Sequence, residues 1–585
     1  MKVLLVHPED NPPLGNSRRE WDLVVDLGRA PASTYTRWSA QMGCTVISIY
    51  DFAEEIADLR LCREGLQHGA GFLVDRFGID WWDVLALGIV PVLQQITLFE
   101  RLSTYIDKPC QFHATRPFRL TTVLRDCGPI KVLGRGSVVL RKKLQHYKHV
   151  VANLDAGQMW QIIQDKFDRH HAIRSRVSRR KNTSSIPMIL LPSAYVNVSR
   201  MAVRLAELLP DQKFLLVFAR RNGKLQSLPG NVITTSLDPY FDRENGAESY
   251  LVHRWRALKH ILVHEQSMFE TLERNCILER VESDLQWLLK IRNAWANVLN
   301  IETIAGCLSA DDTNPYTRIP LLLAKNRGLP TVACHHGALD GWMAVKTLAA
   351  KYYLAKSEME RDYLVNLCGV APDKILAGRA AAAEQPKMRP QPSEKPWIVF
   401  FTEAYEASGW RGEEVYKDLL PRLCSLAQNC GLKLILKLHP FDSVRSHRKK
   451  LRCILGDQQG EVQLVTGPPT DDLWKKTKFA LTGQSSIALE CAARGIPVFV
   501  CTWLRDPYSG YVQQYEKFGV GYALESPQQL ETVPQLWKTS NGASAGWRET
   551  IDRESLQVLL SSNISCEAAL KPLSPAICAA SPIAS

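Results

Sequence analysis

The sequence predicts an α/β protein whose sheets are parallel and are divided between two main domains. Three observations carry this prediction. Short apolar runs alternate with longer helical patterns through most of the 585 residues. A stretch rich in Pro, Ala and Lys, from Arg379 to Pro396, interrupts the alternation and marks a domain boundary. Polar residues follow several apolar runs directly, as they do at the carboxyl ends of parallel strands.

The composition is that of a globular protein, with 45% hydrophobic and 23% charged residues. Lys and Arg (72) exceed Asp and Glu (60) by 12, which suits anionic ligands such as sugar nucleotides, or an anionic membrane face. The sequence has no zinc-finger spacing and no RNA-binding signature, so nucleic acid is not an expected partner. The 15 cysteines include no Cys-x-x-Cys pair, and the first apolar run is too short for a signal peptide. We therefore expect a cytoplasmic protein, with peripheral contact at the inner face of a membrane.

Residues 1–385 are predicted to form one N-terminal α/β region on the acceptor side. A dense mixture of apolar and charged residues without Gly or Pro predicts a helical insert at about 248–300. Strands are predicted at Lys2–His7, Thr45–Tyr50, Trp82–Leu87, Lys148–Asn153, Met188–Leu191, Lys213–Phe218, Glu302–Leu308, Thr331–Cys334, Lys351–Ala355 and Lys374–Gly378. Helices are predicted at Pro91–Ile106, Ser199–Leu209, Thr317–Asn326 and Glu358–Leu367.

Residues 396–540 are predicted to form a C-terminal domain with a regular strand–helix rhythm, typical of a nucleotide-binding sheet. Its strands are predicted at Trp397–Thr402, Leu432–Leu438, Val462–Val465, Phe479–Leu481 and Pro497–Cys501. Its helices are predicted at Glu413–Asn429, Thr470–Trp474 and Ser486–Arg494. Residues 541–585 are rich in Ala, Ser and Pro towards their end, and we expect a partly disordered extension.

A histidine closes one strand-like run of the C-terminal domain. In Leu436-Lys437-Leu438-His439-Pro440 the histidine leaves the strand, and Pro440 fixes the backbone behind it. A histidine at the carboxyl end of a parallel strand can donate to a nucleotide phosphate and offset charge as the nucleotide departs. A histidine satisfied within its own loop is the alternative. We predict that His439 binds a donor phosphate.

A glycine and two serines follow the next strand and open a helix. Gly483 permits close approach of the backbone, and the hydroxyls of Ser485 and Ser486 join free N–H groups to form an anion site. A plain capped helix is the alternative. Glu490 lies one turn after Ser486 and is predicted to receive the hydroxyls of a donor sugar or ribose, unless it is a surface carboxylate. Arg411, after the first strand of the domain, is predicted to clamp phosphate, with an ordinary loop as the alternative.

Candidate bases lie in the N-terminal region. His336 precedes Gly337 at a strand end and is predicted to act as general base towards an acceptor hydroxyl. The adjacent His335 points to the opposite side of an extended chain, so one of the two histidines faces the site. The strand-end pair Asp311-Asp312 and the later Asp340 are further candidates for the base, although capping of a loop by Asp312 or Asn314 is the simpler role. No Cys or His spacing supports a zinc site.

These motifs together resemble GT-B glycosyltransferases of bacterial surface polysaccharides. The motifs are His336-Gly337, Lys437-Leu438-His439-Pro440, and the run from Ser485 to Glu490 followed by Gly495-Ile496-Pro497-Val498. They are most similar to families with a His-Pro and a Ser-Ser motif, namely capsule Kdo transferases, bacterial sialyltransferases and CDP-glycerol glycerophosphotransferases. The resemblance covers roughly residues 302–525. A looser form of the serine motif is also found in UDP-sugar enzymes and UDP-GlcNAc 2-epimerases.

The resemblance implies roles for individual residues. In those families the His-Pro histidine and the Ser-Ser pair hold the phosphate of a cytidine-linked donor, which implies this role for His439, Ser485 and Ser486. In the glycerophosphotransferases a His-Gly histidine is the proposed base, which matches His336. In the sialyltransferases the base is an Asp in a different motif. The implied fold is GT-B-like, with two Rossmann-like domains facing a cleft and a helical insertion in the N-terminal part.

The predicted function is a glycosyltransferase that uses a nucleotide-activated sugar, CMP-linked by preference, in surface or capsular polysaccharide biosynthesis. No metal or other cofactor is expected, because no Asp-x-Asp cluster is placed to bind one. The expected partners are a nucleotide-sugar donor, a glycan or lipid-linked acceptor, and an anionic membrane surface. The alternatives are a CDP-glycerol-type glycerophosphotransferase, a UDP-sugar 2-epimerase-like enzyme, and a non-catalytic assembly protein that binds nucleotide sugars.

Overall fold

The computed structural model of the protein describes most of the chain. The described residues are 1–12, 20–106, 108–116, 123–124, 130–133, 186–220, 228–241, 249–337, 339, 342–377, 396–439, 442–508, 510, 514–539 and 551–561. They form three parallel sheets with helices between the strands, so the predicted α/β class is confirmed. The predicted strand Lys148–Asn153, the base candidate Asp340, the predicted role of Pro440 and most of 541–585 lie outside the described residues.

The first sheet has five strands in the order β3-β2-β1-β4-β5, paired in parallel. Its strands are β1 (Lys2–Val6), β2 (Leu23–Asp26), β3 (Thr45–Ser48), β4 (Gln111–Ala114) and β5 (Ile130–Val132). The helices in this part of the chain are α1 (Ala32–Met42), α2 (Glu55–Gln67), α3 (Trp81–Leu85) and α4 (Val90–Ile106).

The strand predicted at Trp82–Leu87 is wrong, because these residues begin in a helix. Asp80 caps α3, since its side chain accepts from the backbone N–H of Trp82 at 3.0 Å. Trp81 and Trp82 are both almost completely buried. A short, mostly buried and mostly apolar run lacks the alternation that separates a strand from a helix, and the cap decides the outcome here.

The second sheet has seven strands in the order β12-β11-β10-β9-β6-β7-β8, again paired in parallel. Its strands are β6 (Met188–Ser193), β7 (Phe214–Phe218), β8 (Val232–Ser236), β9 (Ile304–Ser309), β10 (Thr331–Ala333), β11 (Tyr352–Ala355) and β12 (Ile375–Ala377). Its helices are α5 (Val196–Glu207), α6 (Ser249–Glu265), α7 (Ser267–Arg274), α8 (Leu278–Ile301), α9 (Pro315–Asn326), α10 (Trp342–Val345) and α11 (Glu358–Asp362). Helices α6 to α8 occupy the segment predicted to be a helical insert.

The third sheet has six strands in the order β15-β14-β13-β16-β17-β18, all paired in parallel. Its strands are β13 (Trp397–Phe401), β14 (Lys433–Lys437), β15 (Val462–Val465), β16 (Thr477–Thr482), β17 (Val498–Cys501) and β18 (Tyr522–Leu524). The remaining helices are α12 (Gly412–Cys430), α13 (Val444–Leu455), α14 (Asp471–Lys476), α15 (Ile487–Ala493), α16 (Val533–Thr539) and α17 (Arg553–Ser561).

The chain folds into two compact units. Unit 1 comprises Met1–Glu55, Gln95–Ile162 and Ala382–Arg548, and it contains the first and third sheets. Unit 2 comprises Ile56–Gln94, Ile163–Ala381 and Glu549–Ser585, and it contains the second sheet. The predicted N-terminal region 1–385 therefore contributes to both units. Helix α17, from the predicted extension, belongs to unit 2, where Leu556 and Leu560 are buried in the core of the second sheet.

Local signals in the sequence explain where key helices begin and end. The side chain of Asn314 accepts from the N–H of Tyr316 at 2.9 Å, and Pro315 occupies the first position of α9. This confirms the capping role considered for Asn314. Helix α12 ends at Gly431, whose φ of 64° is a conformation that glycine adopts at little cost. These ends place the residues that follow β9 and precede β14.

No single helix among the described residues combines the length and the apolar character that a membrane span requires, and only the bent pair of 81–88 with α4 meets both criteria.

Candidate functional site

The strand order of the third sheet reverses between β13 and β16. Strands β14 and β15 lie on one side of this point, and β17 and β18 lie on the other. Ligands of open α/β sheets bind at the carboxyl ends of the strands where the order reverses. The residues that follow these two strands are Thr402 and Glu403 after β13, and Gly483 to Ser486 after β16. The serine motif therefore lies at the reversal point of the third sheet, and His439 follows the neighbouring strand β14.

Thr402 holds the loop that carries His439. The backbone N–H of His439 donates to Thr402 Oγ1 at 3.0 Å, and the Thr402 hydroxyl donates to Asp442 Oδ2 at 3.0 Å. Behind them, Asp442 Oδ2 lies 3.7 Å from His447 Nε2, which is 2.7 Å from the hydroxyl oxygen of Tyr416. A chain of polar contacts thus fixes the backbone of His439.

The His439 side chain is half-buried, and its environment favours the neutral imidazole. Burial lowers the pKa of His439, Lys437 lowers it further, and Asp442 opposes both effects. A neutral imidazole carries one N–H donor and one bare nitrogen. His439 can therefore donate a hydrogen bond to a phosphate oxygen without holding a permanent charge.

The carboxyl group of Glu403 accepts hydrogen bonds at the loop that follows β16. Its Oε1 accepts from the backbone N–H of Gln484 and from the Thr482 hydroxyl, the latter at 3.4 Å. A Cβ on Gly483 would lie 2.9 Å from this oxygen, so glycine leaves the room that the carboxyl group needs. Burial raises the pKa of Glu403 to about 7, although hydrogen bonds from residues 482–485 oppose the rise.

Glu403 was not among the predicted site residues. The sequence does show an acidic residue directly after the first strand of the domain. Its importance follows from the strand order, because β13 lies between β14 and β16 and its end reaches both predicted motifs. Strand order cannot be read from the sequence alone, so Glu403 was missed.

The two serines differ in their contacts. Ser485 Oγ accepts from the backbone N–H of Ile487 at 3.3 Å, at the start of α15. Ser486 occupies the capping position of that helix but makes no capping hydrogen bond with its side chain. Both side chains are half-buried. Glu490 is exposed, and its carboxylate lies 3.7 Å from Arg494 one turn further along the helix.

The structure contradicts the predicted phosphate clamp at Arg411. All five N–H groups of its buried guanidinium are used within unit 1. Nε donates to Asp26 Oδ2 at 2.8 Å, and one Nη2 hydrogen bond goes to the other oxygen of Asp26. The remaining three go to the backbone carbonyls of His7, Pro8 and Asp10. Arg411 therefore binds the end of the first sheet and has no donor left for phosphate.

The second sheet also reverses its strand order, between β6 and β9. Tyr195 follows β6, Asp311 follows β9, and His336 follows β10, which is the next strand along. The Tyr195 hydroxyl donates to Asp311 Oδ2 at 2.8 Å, and its oxygen lies 3.4 Å from each ring nitrogen of His336. The predicted base thus lies beside a tyrosine and a carboxylate at the reversal point of the second sheet.

The electrostatics of this cluster keep His336 neutral and Asp311 ionised. Burial lowers the pKa of His336, Asp311 opposes this, and Lys356 lowers the pKa further. Burial opposes ionisation of Asp311, yet His335, the Thr313 hydrogen bonds and His336 hold its pKa below the usual value. A neutral imidazole beside a carboxylate is the protonation state that a general base requires.

Of the adjacent histidines, His336 is the more accessible. His335 is buried, and its Nδ1 accepts from the backbone N–H of Gly337 at 3.3 Å. His336 is half-buried and contacts Tyr195. His336 stays the residue that is predicted to face a substrate.

The structure contradicts Asp312 as a base. Its side chain is fully buried, contacts the Lys346 ammonium, and lies 3.8 Å from the Arg318 guanidinium. A fully buried carboxylate that contacts two buried cations is closed to an acceptor hydroxyl. Its neighbour Asp311 instead takes the place beside the candidate base.

Across the part of the chain that the structure describes, no group of three or more His, Cys, Asp or Glu side chains is arranged to hold a metal ion. The expectation that the protein works without a metal or other cofactor stays a prediction.

No protein-family model matches the sequence, and no curated protein matches it. Solved structures are similar at low identity. The UDP-GlcNAc 2-epimerase from Methanocaldococcus jannaschii is 10% identical, with 64% of this chain and 99% of that chain covered and a TM-score of 0.41. The S. aureus MnaA–UDP co-structure is 13% identical, with 64% and 94% covered and a TM-score of 0.39.

A wall teichoic acid polymerase, TagF, is also similar. It is 13% identical, with 74% of this chain and 96% of that chain covered and a TM-score of 0.35. At these identities and scores the similarities carry no conclusion about the reaction. The roles of individual residues therefore depend on the geometry of the two sites.

Proposed function

We propose that the chain is a glycosyltransferase that transfers a sugar from a nucleotide donor, CMP-linked by preference, in the synthesis of a surface polysaccharide. One observation carries the proposal. Thr402 and Glu403, at the reversal point of the third sheet, hydrogen-bond to the backbones of His439 and Gln484 respectively. The two motifs that the sequence singled out thus converge on one strand end, where such sheets bind phosphates.

The proposed donor site uses neutral hydrogen-bond donors. His439 offers an imidazole N–H, and Ser485 and Ser486 offer hydroxyls to the phosphate oxygens. Glu403 supports the loop that carries the serines, and Gly483 gives that carboxyl group its room. Glu490 is assigned to the hydroxyls of the donor sugar or ribose. Hydrogen bonds to the departing nucleotide phosphate strengthen as it gains charge, which lowers the barrier to transfer.

The proposed acceptor chemistry uses His336. Its neutral imidazole removes the proton from an acceptor hydroxyl, and the oxygen attacks the anomeric carbon of the donor sugar. The bond to the nucleotide phosphate breaks, and the nucleotide leaves with the electron pair. Asp340 stays an alternative base. The acceptor is proposed to be a glycan or a lipid-linked glycan at the cytoplasmic face of a membrane.

A CDP-glycerol-type glycerophosphotransferase is the second candidate. The same residues would then act on a donor in which phosphorus is attacked and CMP leaves. The observation in its favour is the neutral, half-buried His336 before Gly337, since the His-Gly motif of those transferases supplies their proposed base. The two candidates share the donor-phosphate site and differ in the bond that forms.

Nucleotide binding and product analysis test the proposal together. A thermal-shift screen with CMP, CDP, UDP and GDP should show the largest stabilisation with a cytidine nucleotide. His439→Ala should lose that stabilisation while keeping the melting temperature of the ligand-free protein. Preferential stabilisation by UDP would defeat the cytidine preference.

Incubation with donor alone separates a transferase from an epimerase. A transferase leaves the donor sugar unaltered except for slow hydrolysis, whereas an epimerase releases an altered sugar without an acceptor. Nucleotide binding with no turnover across a panel of acceptors would instead indicate a non-catalytic assembly protein.

A further inference from the structure

We infer that Tyr195 and Asp311 are positioning residues for His336 and raise its basicity during transfer. The inference deepens the proposed function, and it rests on that function for the role of His336 as the base. Tyr195 carried no predicted role in catalysis, and Asp311 was considered only as a base candidate in a pair with Asp312. Both follow strands that flank the reversal point of the second sheet, and His336 follows the next strand.

The contacts among the three side chains define an order. The Tyr195 oxygen lies 2.8 Å from Asp311 Oδ2, but 3.4 Å from both ring nitrogens of His336. The rings of Tyr195 and His336 meet edge to face, with centroids 5.2 Å apart and an interplanar angle of 86°. The tyrosine hydroxyl therefore lies between the carboxylate and the two ring nitrogens of the imidazole.

The proton count fixes the direction of this bridge. A phenol has one proton, and an ionised carboxylate can only accept. The Tyr195 hydroxyl therefore donates its hydrogen bond to Asp311, in the shorter contact. The lone pairs of the Tyr195 oxygen are left on the side of His336. Thr313 donates to the other oxygen of Asp311 through its backbone N–H at 2.8 Å and through its hydroxyl, which holds the carboxylate in place.

This arrangement acts when His336 takes a proton. The acceptor O–H bond breaks, an N–H bond forms on the imidazole, and the acceptor oxygen keeps the electron pair with which it attacks the donor. The resulting imidazolium is stabilised by the lone pairs of Tyr195 and by the negative charge of Asp311 beyond it. Tyr195 keeps its own proton throughout. A base oriented and stabilised by a third group is the arrangement used in catalytic triads.

The other charged groups around His336 act in the opposite direction. Lys356, which follows β11, lowers the pKa of His336, and His335 is the neighbouring histidine on the same loop. The Lys356 ammonium is engaged by Glu360 at 3.1 Å and by the backbone carbonyls of His335 and Gly337 at 2.7 and 3.0 Å. Asp311 is thus the carboxylate that offsets burial and Lys356 at His336.

The test is the pKa of His336 in variants of its neighbours. Histidine-labelled protein is titrated by NMR, and the His336 signal is identified by its loss in His336→Gln. In Tyr195→Phe and Asp311→Asn we expect the pKa of His336 to fall, because each change removes a group that stabilises the imidazolium. The acidic limb of kcat/KM against pH should move to lower pH, and the plateau should fall about tenfold or more.

Tyr240→Phe is the matched control. Its hydroxyl also donates to a carboxylate, Glu302 Oε1 at 2.6 Å, but Glu302 lies at the amino end of β9, opposite to the end that leads to Asp311. This control should leave the pKa of His336 and the pH profile unchanged. If Asp311→Asn fails to fold, Tyr195→Phe alone decides the matter.

The results separate the inference from the proposed function. An unchanged pKa of His336 in folded Tyr195→Phe would overturn the inference, whatever happens to turnover. A wild-type protein with no transferase activity would overturn the proposed function, and the NMR titration would still show whether Tyr195 and Asp311 raise the pKa of His336.

Discussion

The first and second sheets have the same parallel architecture but differ in the residues that lie at the carboxyl ends of their strands. At the first sheet, Arg411 donates all five N–H groups to Asp26 and to three backbone carbonyls. The backbone N–H of His7 donates to Thr115 Oγ1 at 3.0 Å, between the ends of β1 and β4. At the second sheet, Tyr195, Asp311 and His336 lie at the corresponding reversal of strand order. Parallel topology creates such an edge in both sheets, and the protein's own charges decide whether the edge is closed.

The third sheet is intermediate between the first and second sheets in how far its carboxyl end is closed by internal contacts. Glu403 fills part of the loop after β16, but its carboxyl group has a pKa raised to about 7 by burial. The side chains of His439, Ser485 and Ser486 stay half-buried. This sheet is partly closed by an internal acid and still presents neutral donors. The contrast predicts that changes at the first sheet affect stability, and that changes at the other two affect chemistry and binding.

His336→Gln gives the largest expected effect. Loss of the base should lower kcat by about 10²–10⁴-fold, because general base catalysis contributes that much. The change should leave the affinity for nucleotide unchanged, since the donor residues lie in the third sheet. Steady-state kinetics and calorimetric titration of the same preparation measure both. A parallel loss of nucleotide affinity would contradict the assignment of the base to the second sheet and of the donor site to the third.

Arg411→Leu should mainly destabilise unit 1. Removing one partner of a buried ion pair leaves Asp26 uncompensated, which costs about 3–5 kcal/mol. Lys417→Ala removes an exposed pair with Glu413 at 2.9 Å and a contact with Glu414 at 3.0 Å, but Arg37 still pairs with Glu414, so the change should cost about 1 kcal/mol or less. Hydrogen exchange across a urea series reads unit 1 separately. A stable Arg411→Leu variant with weakened nucleotide binding would restore Arg411 as a phosphate ligand.

Glu403 should make the stability of unit 1 depend on pH. Its folded pKa of about 7 exceeds the ordinary value of 4.5, so the folded state binds the proton more tightly. Its contribution is fully present below pH 4.5 and is lost as the pH rises towards 7, by up to about 3 kcal/mol. Glu403→Gln should remove this decline, as measured by urea unfolding at several pH values. Equal pH dependence in both proteins would show that the pKa of Glu403 is the same in the folded and unfolded states.

The two serines should give the smallest and most selective effects. Ser485→Ala removes both a phosphate donor and the contact with the N–H of Ile487, so it should weaken nucleotide binding about tenfold and cost about 1 kcal/mol of stability. Ser486→Ala should weaken binding without the cost in stability, since its side chain makes no capping hydrogen bond. Identical behaviour of the two variants would remove the distinction between them.

Much of the fold could be predicted because local patterns decide it. The strand predicted at Val462–Val465 has those bounds in the structure, and the predicted helix at Pro91–Ile106 differs by one residue. The strand predicted at Trp82–Leu87 was wrong. Its apolar residues do not alternate with polar ones, and the Asp80 cap begins a helix there. Prediction from the pattern of apolar residues therefore succeeds where their alternation, or the length of the run, clearly indicates a strand or a helix.

The candidate sites could be predicted only where residues lie at strand ends. His336, His439 and the serine pair were chosen because each follows an apolar run directly, and the structure places each of them after a strand. Arg411 and Asp312 follow strands too, but their partners, Asp26 and Lys346, are distant in sequence. Whether a charged side chain is fully engaged in internal contacts depends on such distant partners, and the sequence does not show them. Glu403 was missed because the sequence also does not show the strand order that brings it to Gln484.

The contribution of phosphate to binding tests the central claim most directly. The affinities of CMP and cytidine are measured by calorimetry for wild type and for His439→Ala, and the ratio of the two affinities isolates the phosphate. We predict that wild type prefers CMP, and that His439→Ala reduces this preference by about tenfold or more while cytidine binds as before. An unchanged preference in His439→Ala would contradict the assignment of the donor phosphate to the end of β14.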